Sequence, residues 1–106
     1  MLTGNLFSEL PDDIPEEIYQ TLIQTGNIKI ERIVSHGQTS PENFWYDQPQ
    51  NEWVLLLQGH ARIAFADGKE VDLHSGDYLN IPAHIRHRVE YTHEQQISVW
   101  LVVFYD

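Results

Sequence analysis

The 106-residue chain has no cysteine, and its 6 lysines and arginines face 16 aspartates and glutamates. Without thiols there are no disulfides and no thiolate chemistry, which fits a reducing compartment. The shortage of basic residues leaves a formal net charge of −10. Phosphate backbones and anionic membrane surfaces repel such a chain, so neither nucleic acid nor a membrane is an expected partner. Long hydrophobic runs are missing too. The longest, "WVLLL" and "VWLVVFY", are strand-sized and too short to cross a bilayer. The opening "MLTGNLFSELPDD" has neither the basic region nor the apolar stretch of a secretory signal. A cytoplasmic protein is the expectation. No phosphate loop, zinc-finger spacing or basic stripe occurs, and "SHGQTS" lacks the glycine frame of a hydrolase nucleophile.

What is present belongs to one folded domain. Hydrophobic residues make up 42% and aromatic residues 11%, enough for a single core in a chain of this length. The stretch "SELPDDIPEEIYQTLIQTG" predicts a turn and a short helix. Pro15 suits an early helical position, Glu16 and Glu17 suit the positive end of the dipole, and Gly26 suits the stop. Residues 1–26 are therefore read as an arm with a short helix, and residues 27–106 as a β-barrel. From Asn27 onward, short apolar runs are separated by turn signals such as Asp67-Gly68, as in a sandwich or barrel. Several of these runs are apolar on both faces. One face fills the barrel and the other needs a cover, which predicts a homodimer.

Residues 43–59, "NFWYDQPQNEWVLLLQG", predict a hairpin. With Pro49-Gln50-Asn51 as its loop, Tyr46, Gln48 and Glu52 share a face with Val54 and Leu56, which is inward. Trp45, Asp47 and Trp53 then point outward. In "IPAHIRHRVEY", Arg86, Arg88 and Glu90 form a solvated face. His87, Val89 and Tyr91 point inward, and His84 sits in the turn at the rim.

These two segments resemble the two motifs of the cupin superfamily, small β-barrels of jelly-roll type. In the first motif, Glu52 and Gly59 stand in place, but the two histidines of the pattern fall on Tyr46 and Gln48 and its opening glycine on Ser40. In the second, Gly76, Pro82 and His87 match, while His84 takes a glycine position and Tyr91 the terminal asparagine. The resemblance implies an all-β, cupin-type jelly-roll barrel, here with the N-terminal helical arm. It also implies a site for one divalent metal ion (Fe, Mn, Ni or Zn), for which Glu52 and His87 remain and Gln48 adds a neutral oxygen. His84 becomes a replacement ligand if its turn folds inward. Tyr46, whose hydroxyl titrates near ~10, is a hydrogen-bond donor rather than a ligand.

Three readings of the site stay open. Glu52 and His87 bind a metal; they form a buried hydrogen-bonded pair inside a pocket; or they perform acid–base work without metal. The expected pocket comprises Tyr46, Gln48, Glu52, His84, His87 and Tyr91, and its expected occupant is a small polar molecule. A metal-dependent enzyme of dioxygenase, isomerase or lyase type is the first rival, and a module using its apolar outer face to bind a protein is another. His36, His60, His74 and His93 read as solvated loop residues. Arg32 and Arg62 could reach a pocket rim and bind an anionic substrate, but guanidinium on a strand face is usually solvated.

Overall fold

Strands and turns account for all the regular structure in residues 1–106, described here in a computed structural model. The strands are β1 (Ile18–Thr25), β2 (Ile28–Ser35), β3 (Asn51–Gln58), β4 (His60–Phe65), β5 (Glu70–His74), β6 (Tyr78–Ile81), β7 (His87–Thr92) and β8 (Ser98–Tyr105). They form two antiparallel sheets, one ordered β1-β2-β8-β3-β6 and the other β5-β4-β7. The barrel-like, all-β architecture expected from the turn spacing is present. No helix is long and apolar enough to cross a membrane.

The N-terminal helix is not present, and this is a correction. Its residues form β1, which pairs with β2 from Ile18↔Val34 to Thr25↔Ile28. The segment is rich in β-branched and aromatic residues (Ile18, Tyr19, Thr21, Ile23, Thr25), which fit a pleated surface. Gly26 and Asn27 are left as a two-residue hairpin loop, and Gly26 takes φ +48, the sign such a turn needs. The sheet therefore begins at Ile18 rather than at Asn27.

Residues 1–17 contain no strand, and Leu2 to Glu9 run beside the outer, Arg32-bearing face of this hairpin. Arg32, only 7% exposed, holds them by donating Nη1 to the carbonyls of Leu6 (3.1 Å) and Ser8 (2.7 Å). The Ile14 carbonyl accepts a hydrogen bond from Gln38 Nε2 at 2.7 Å. Arg32 thus fastens the arm instead of reaching a pocket rim. Arg62 likewise stays on the surface, ion-paired with Asp72 at 3.1 Å.

The core lies between the sheets, where alternate residues of each strand point inward. Val54, Leu56, Ala61, Ile63, Leu73, Ile81, Trp100 and Val102 form one buried cluster. Gly59 turns the chain from β3 into β4 at φ +110, and a Cβ there would stand 2.8 Å from the Cα of Ser98. Both the backbone angle and the close approach demand glycine at this motif position.

The expected hairpin over 43–59 also needs correction. Only its second half is a regular strand, β3. Tyr46 makes an isolated bridge with His87 on β7 instead, through Tyr46 N–H to His87 O at 2.7 Å and His87 N–H to Tyr46 O at 3.1 Å.

Candidate functional site

Four of the expected pocket residues converge. Glu52 enters near the start of β3, His87 at the start of β7, and Tyr46 and Gln48 from the irregular chain between β2 and β3. Gln48 Nε2 donates to Glu52 Oε2 at 2.6 Å. The His87 ring lies 3.1 Å from the same oxygen through Nε2, and 2.8 Å from the Ile85 carbonyl through Nδ1. The Tyr46 ring stacks on His87 with centroids 5.6 Å apart.

Both ring nitrogens of His87 face oxygens that only accept hydrogen bonds. Satisfying both takes two N–H groups, which favours the imidazolium form, ion-paired with Glu52. Burial pulls His87 toward its neutral form, but the Glu52 hydrogen bond, the Ile85 carbonyl and the Glu52 charge together outweigh it. The net result is a pKa above the ordinary imidazole value.

These groups close one end of a cavity of about 100 Å³ whose remaining wall is mainly apolar. Sequence reasoning missed three further polar lining residues, Glu17, Tyr19 and Glu31. Glu17 is fixed by a chain of hydrogen bonds that starts in the core. Trp100 Nε1 donates to Ser35 Oγ (3.1 Å), and the Ser35 hydroxyl donates to Glu17 Oε2 (2.6 Å). Tyr19 donates its hydroxyl to Glu17 Oε1 at 3.1 Å. Burial first, and the Glu17 charge second, push the hydroxyls of Tyr46 and Tyr19 above the usual phenol range. Both therefore act as neutral donors. The signal for Glu17 and Tyr19 was hidden by the helical reading, because only a strand aims Tyr19 at the barrel. Glu31 was legible as the neighbour of Arg32 on the opposite face of β2.

Two expected residues lie outside the cavity. His84 is exposed, has φ +62, and pairs with Asp47 at 2.8 Å. Its turn does not fold inward, and Asp47 is its partner on the surface. Tyr91 pairs with Arg62 across β4 and β7 and sets its ring edge on His60 at 5.2 Å. The bulge between Arg62 and Ile63 shifts the alternation, so Tyr91 leaves the inward face that His87 and Val89 share. His60 and His74 are not isolated loop residues; their rings stack at 4.4 Å on the outer face of the smaller sheet.

The donor set does not fit a divalent ion as it stands. His87 Nε2 and Glu52 Oε2 are engaged with each other, so a metal would have to displace the proton between them, and that Glu52 oxygen is also held by Gln48. Gln48 presents its NH₂ group, not its carbonyl, to that oxygen. No group of three or more histidine, aspartate or glutamate side chains is arranged to hold a metal. No chemical step is therefore routed through one.

A family model described as "Cupin domain" matches residues 31–104. A solved protein from Ralstonia eutropha, provisionally named a mannose-6-phosphate isomerase, is 46% identical, with a TM-score of 0.96. The match covers 100% of this chain and 99% of that one. A cupin superfamily protein from Desulfitobacterium hafniense is 22% identical (TM-score 0.75), covering 91% of this chain and 83% of that one. The Fe(II) form of HppE is 14% identical (TM-score 0.73), covering 92% of this chain and 54% of that one. Among curated proteins, none matches.

Proposed function

The chain belongs to the cupin superfamily, and from that premise we propose that it binds a small polar molecule inside the barrel. The observation that carries this reading is the convergence of Tyr46, Gln48, Glu52 and His87 at one end of an apolar cavity. Few, fixed polar groups in an apolar wall are the usual make-up of a small-molecule site. The cavity, at about 100 Å³, is below the ~300–1,000 Å³ of drug-sized sites. The ligand is accordingly small, well short of a nucleotide.

The residues divide the work of binding. Tyr46 offers a hydroxyl donor, Glu52 and Glu17 accept, Tyr19 and Ser35 hold Glu17, and His87 keeps Glu52 oriented. A proton on His87 Nε2 could be passed to a bound molecule that displaced it from Glu52, which is general-acid chemistry without a metal.

A metal-dependent enzyme on Glu52 and His87, of dioxygenase, isomerase or lyase type, is the rival. Cupins commonly hold a divalent ion, but the Glu52–His87 pairing opposes one here. The Ralstonia protein's name points to a sugar phosphate. No lysine or arginine lines this cavity, and its one candidate cation, His87, is paired with Glu52, so a phosphate would lack a free cation.

The proposal also includes a reducing, cytoplasmic setting and a homodimer. Ile18, Ile23 and Ile28 stand exposed along the β1–β2 hairpin at the edge of the larger sheet, where a second copy would cover them. Sedimentation of the purified protein as a monomer at micromolar concentration would remove that part.

The binding proposal is tested by NMR with a panel of small polar compounds. Ligands should shift the Trp100 indole N–H and the His87 ring protons, and Glu52→Gln should abolish the shifts. A broad panel that leaves every cavity resonance in place would refute it. Substoichiometric Mn²⁺ tests the rival: selective broadening of the His87 and Glu52 resonances would restore the metal reading.

A further inference from the structure

Resting on the cavity-binding reading, the charges within the cavity narrow the class of ligand. Three lining carboxylates, Glu17, Glu31 and Glu52, face a single lining cation, His87. They are not equivalent. Glu52 is neutralised by His87. Glu17 accepts hydrogen bonds from Ser35 and Tyr19. The Glu31 side chain is only 8% exposed, and no hydrogen bond within the protein reaches its carboxylate. Its ionic contact is Lys29 Nζ at 3.3 Å. A carboxylate buried to that degree needs a donor or a cation.

Lys29 itself indicates which. It lies two residues before Glu31 on β2, so its side chain leaves the same face of the strand, beside Phe104 on β8. Its ammonium stands 3.3 Å from Glu31 and 5.2 Å from the centroid of Phe104. Glu31 and Phe104 both line the cavity. The chain's own primary ammonium is thus already received by a carboxylate and an aromatic face, the two groups that together favour such an ion. Lys29 comes from outside and stays 35% exposed, so it occupies the rim and leaves the interior free. Tyr19, Tyr46 and Trp100 supply further aromatic wall, with Trp100 buried and Tyr19 half-open to solvent. The net charge of −10 adds long-range attraction for cations and repulsion for anions.

We propose that the cavity binds a small primary ammonium compound, its charged end on Glu31 beside Phe104 and its carbon chain against the aromatic wall. Lys29 competes for the same carboxylate from the rim.

The test uses three probes of one chain length: propylammonium, 1-propanol and propionate. Each is titrated by NMR into the wild-type protein, Glu31→Gln and Lys29→Met, with melting curves confirming that each variant is folded. Propylammonium should shift the cavity resonances at a concentration at least about tenfold lower than propanol, and propionate should not shift them, as expected for a charge-assisted contact. Glu31→Gln should erase that preference. Lys29→Met, which frees the carboxylate, should tighten propylammonium severalfold. Equal or better binding of propanol or propionate overturns the ammonium assignment and leaves cavity binding intact. So does an ammonium preference that survives in Glu31→Gln. If none of the three probes shifts a cavity resonance, both readings fall together. Should Glu31→Gln not fold, weaker or unchanged ammonium binding in Lys29→Met overturns the assignment by itself.

Discussion

Replacing Glu52 with glutamine keeps the shape of the site and removes one charge of its buried pair. The His87 and Glu52 side chains are 6% and 14% exposed, with 3.1 Å between Nε2 and Oε2. At an effective dielectric constant of ~20, two unit charges at that distance attract by about 5 kcal/mol. Most of this offsets the several kcal/mol needed to desolvate each ion. Removing one partner of a buried pair typically costs ~3–5 kcal/mol. That range is an upper bound here, because imidazolium can lose its proton near pH ~6.5 and remain buried as the neutral ring. The expected loss is therefore about 1–3 kcal/mol near pH 6.

The sign of the pH dependence follows from His87. Its pKa is raised in the folded protein, so the pair's contribution is complete below the unfolded value of ~6.5. It is lost as pH rises through the folded value. In Glu52→Gln, burial remains and the charge partner is gone, so the stability gap between wild type and variant should narrow as pH rises above ~6.5 and through the raised folded value of His87. Urea unfolding across that range, with NMR titration of the His87 ring, measures both. A wild-type His87 that titrates at or below ~6.5, or a gap that does not change with pH, would refute the ion-pair assignment.

Three further outcomes are expected. Gly59→Ala combines a positive φ with a clash against the Ser98 backbone and should cost about 3 kcal/mol or more in chemical denaturation; a loss under ~1 would contradict the local geometry. Arg32→Met removes the two hydrogen bonds to Leu6 and Ser8, so amide exchange and proteolysis in residues 1–13 should accelerate while exchange in β3 and β8 stays slow. Because the donor set does not fit a divalent ion, exhaustive dialysis against EDTA should leave the melting temperature unchanged, and a fall of several degrees would count for a resident metal.

The strands that carry the two motifs were legible because their patterns are local. Alternation through "EWVLLLQG" and "RHRVEY" places Glu52 and His87 inward, and Glu52, Val54, Leu56, His87 and Val89 do line the cavity or core. The stretch "IYQTLIQT" misled for a physical reason. Its apolar residues at 18, 19, 22 and 23 fall at helical spacing because β1 carries a bulge between Thr21 and Ile23, and a bulge interrupts the two-residue period of a strand. A bulge in β7, where Glu90 is the extra residue opposite Arg62 and Ile63, misplaced Tyr91 in the same way. The partner of Tyr46 was beyond reach for a different reason. Loop length suggests a hairpin, but pairing Tyr46 with His87 is a long-range choice set by closure of the barrel. Glu17 and Glu31 were missed because the helical reading hid the β1–β2 hairpin, which reaches Glu52 on β3 only by way of β8 in the folded sheet.

The segment between β2 and β3, residues 36–50, supplies Tyr46 and Gln48 to the cavity yet contains no regular strand. It is fastened to β7 mainly through main-chain atoms: the paired Tyr46–His87 bonds, and Ser40 N–H to the Val89 carbonyl at 2.9 Å. Such anchors do not depend on which side chains the segment carries. Positions 46 and 48 can be exchanged while the path of the backbone and the two sheets stay as they are. Selectivity and foldability are in this way assigned to different parts of the chain. A redesign, or a duplicated gene, could change what the barrel accepts by rewriting one connecting segment.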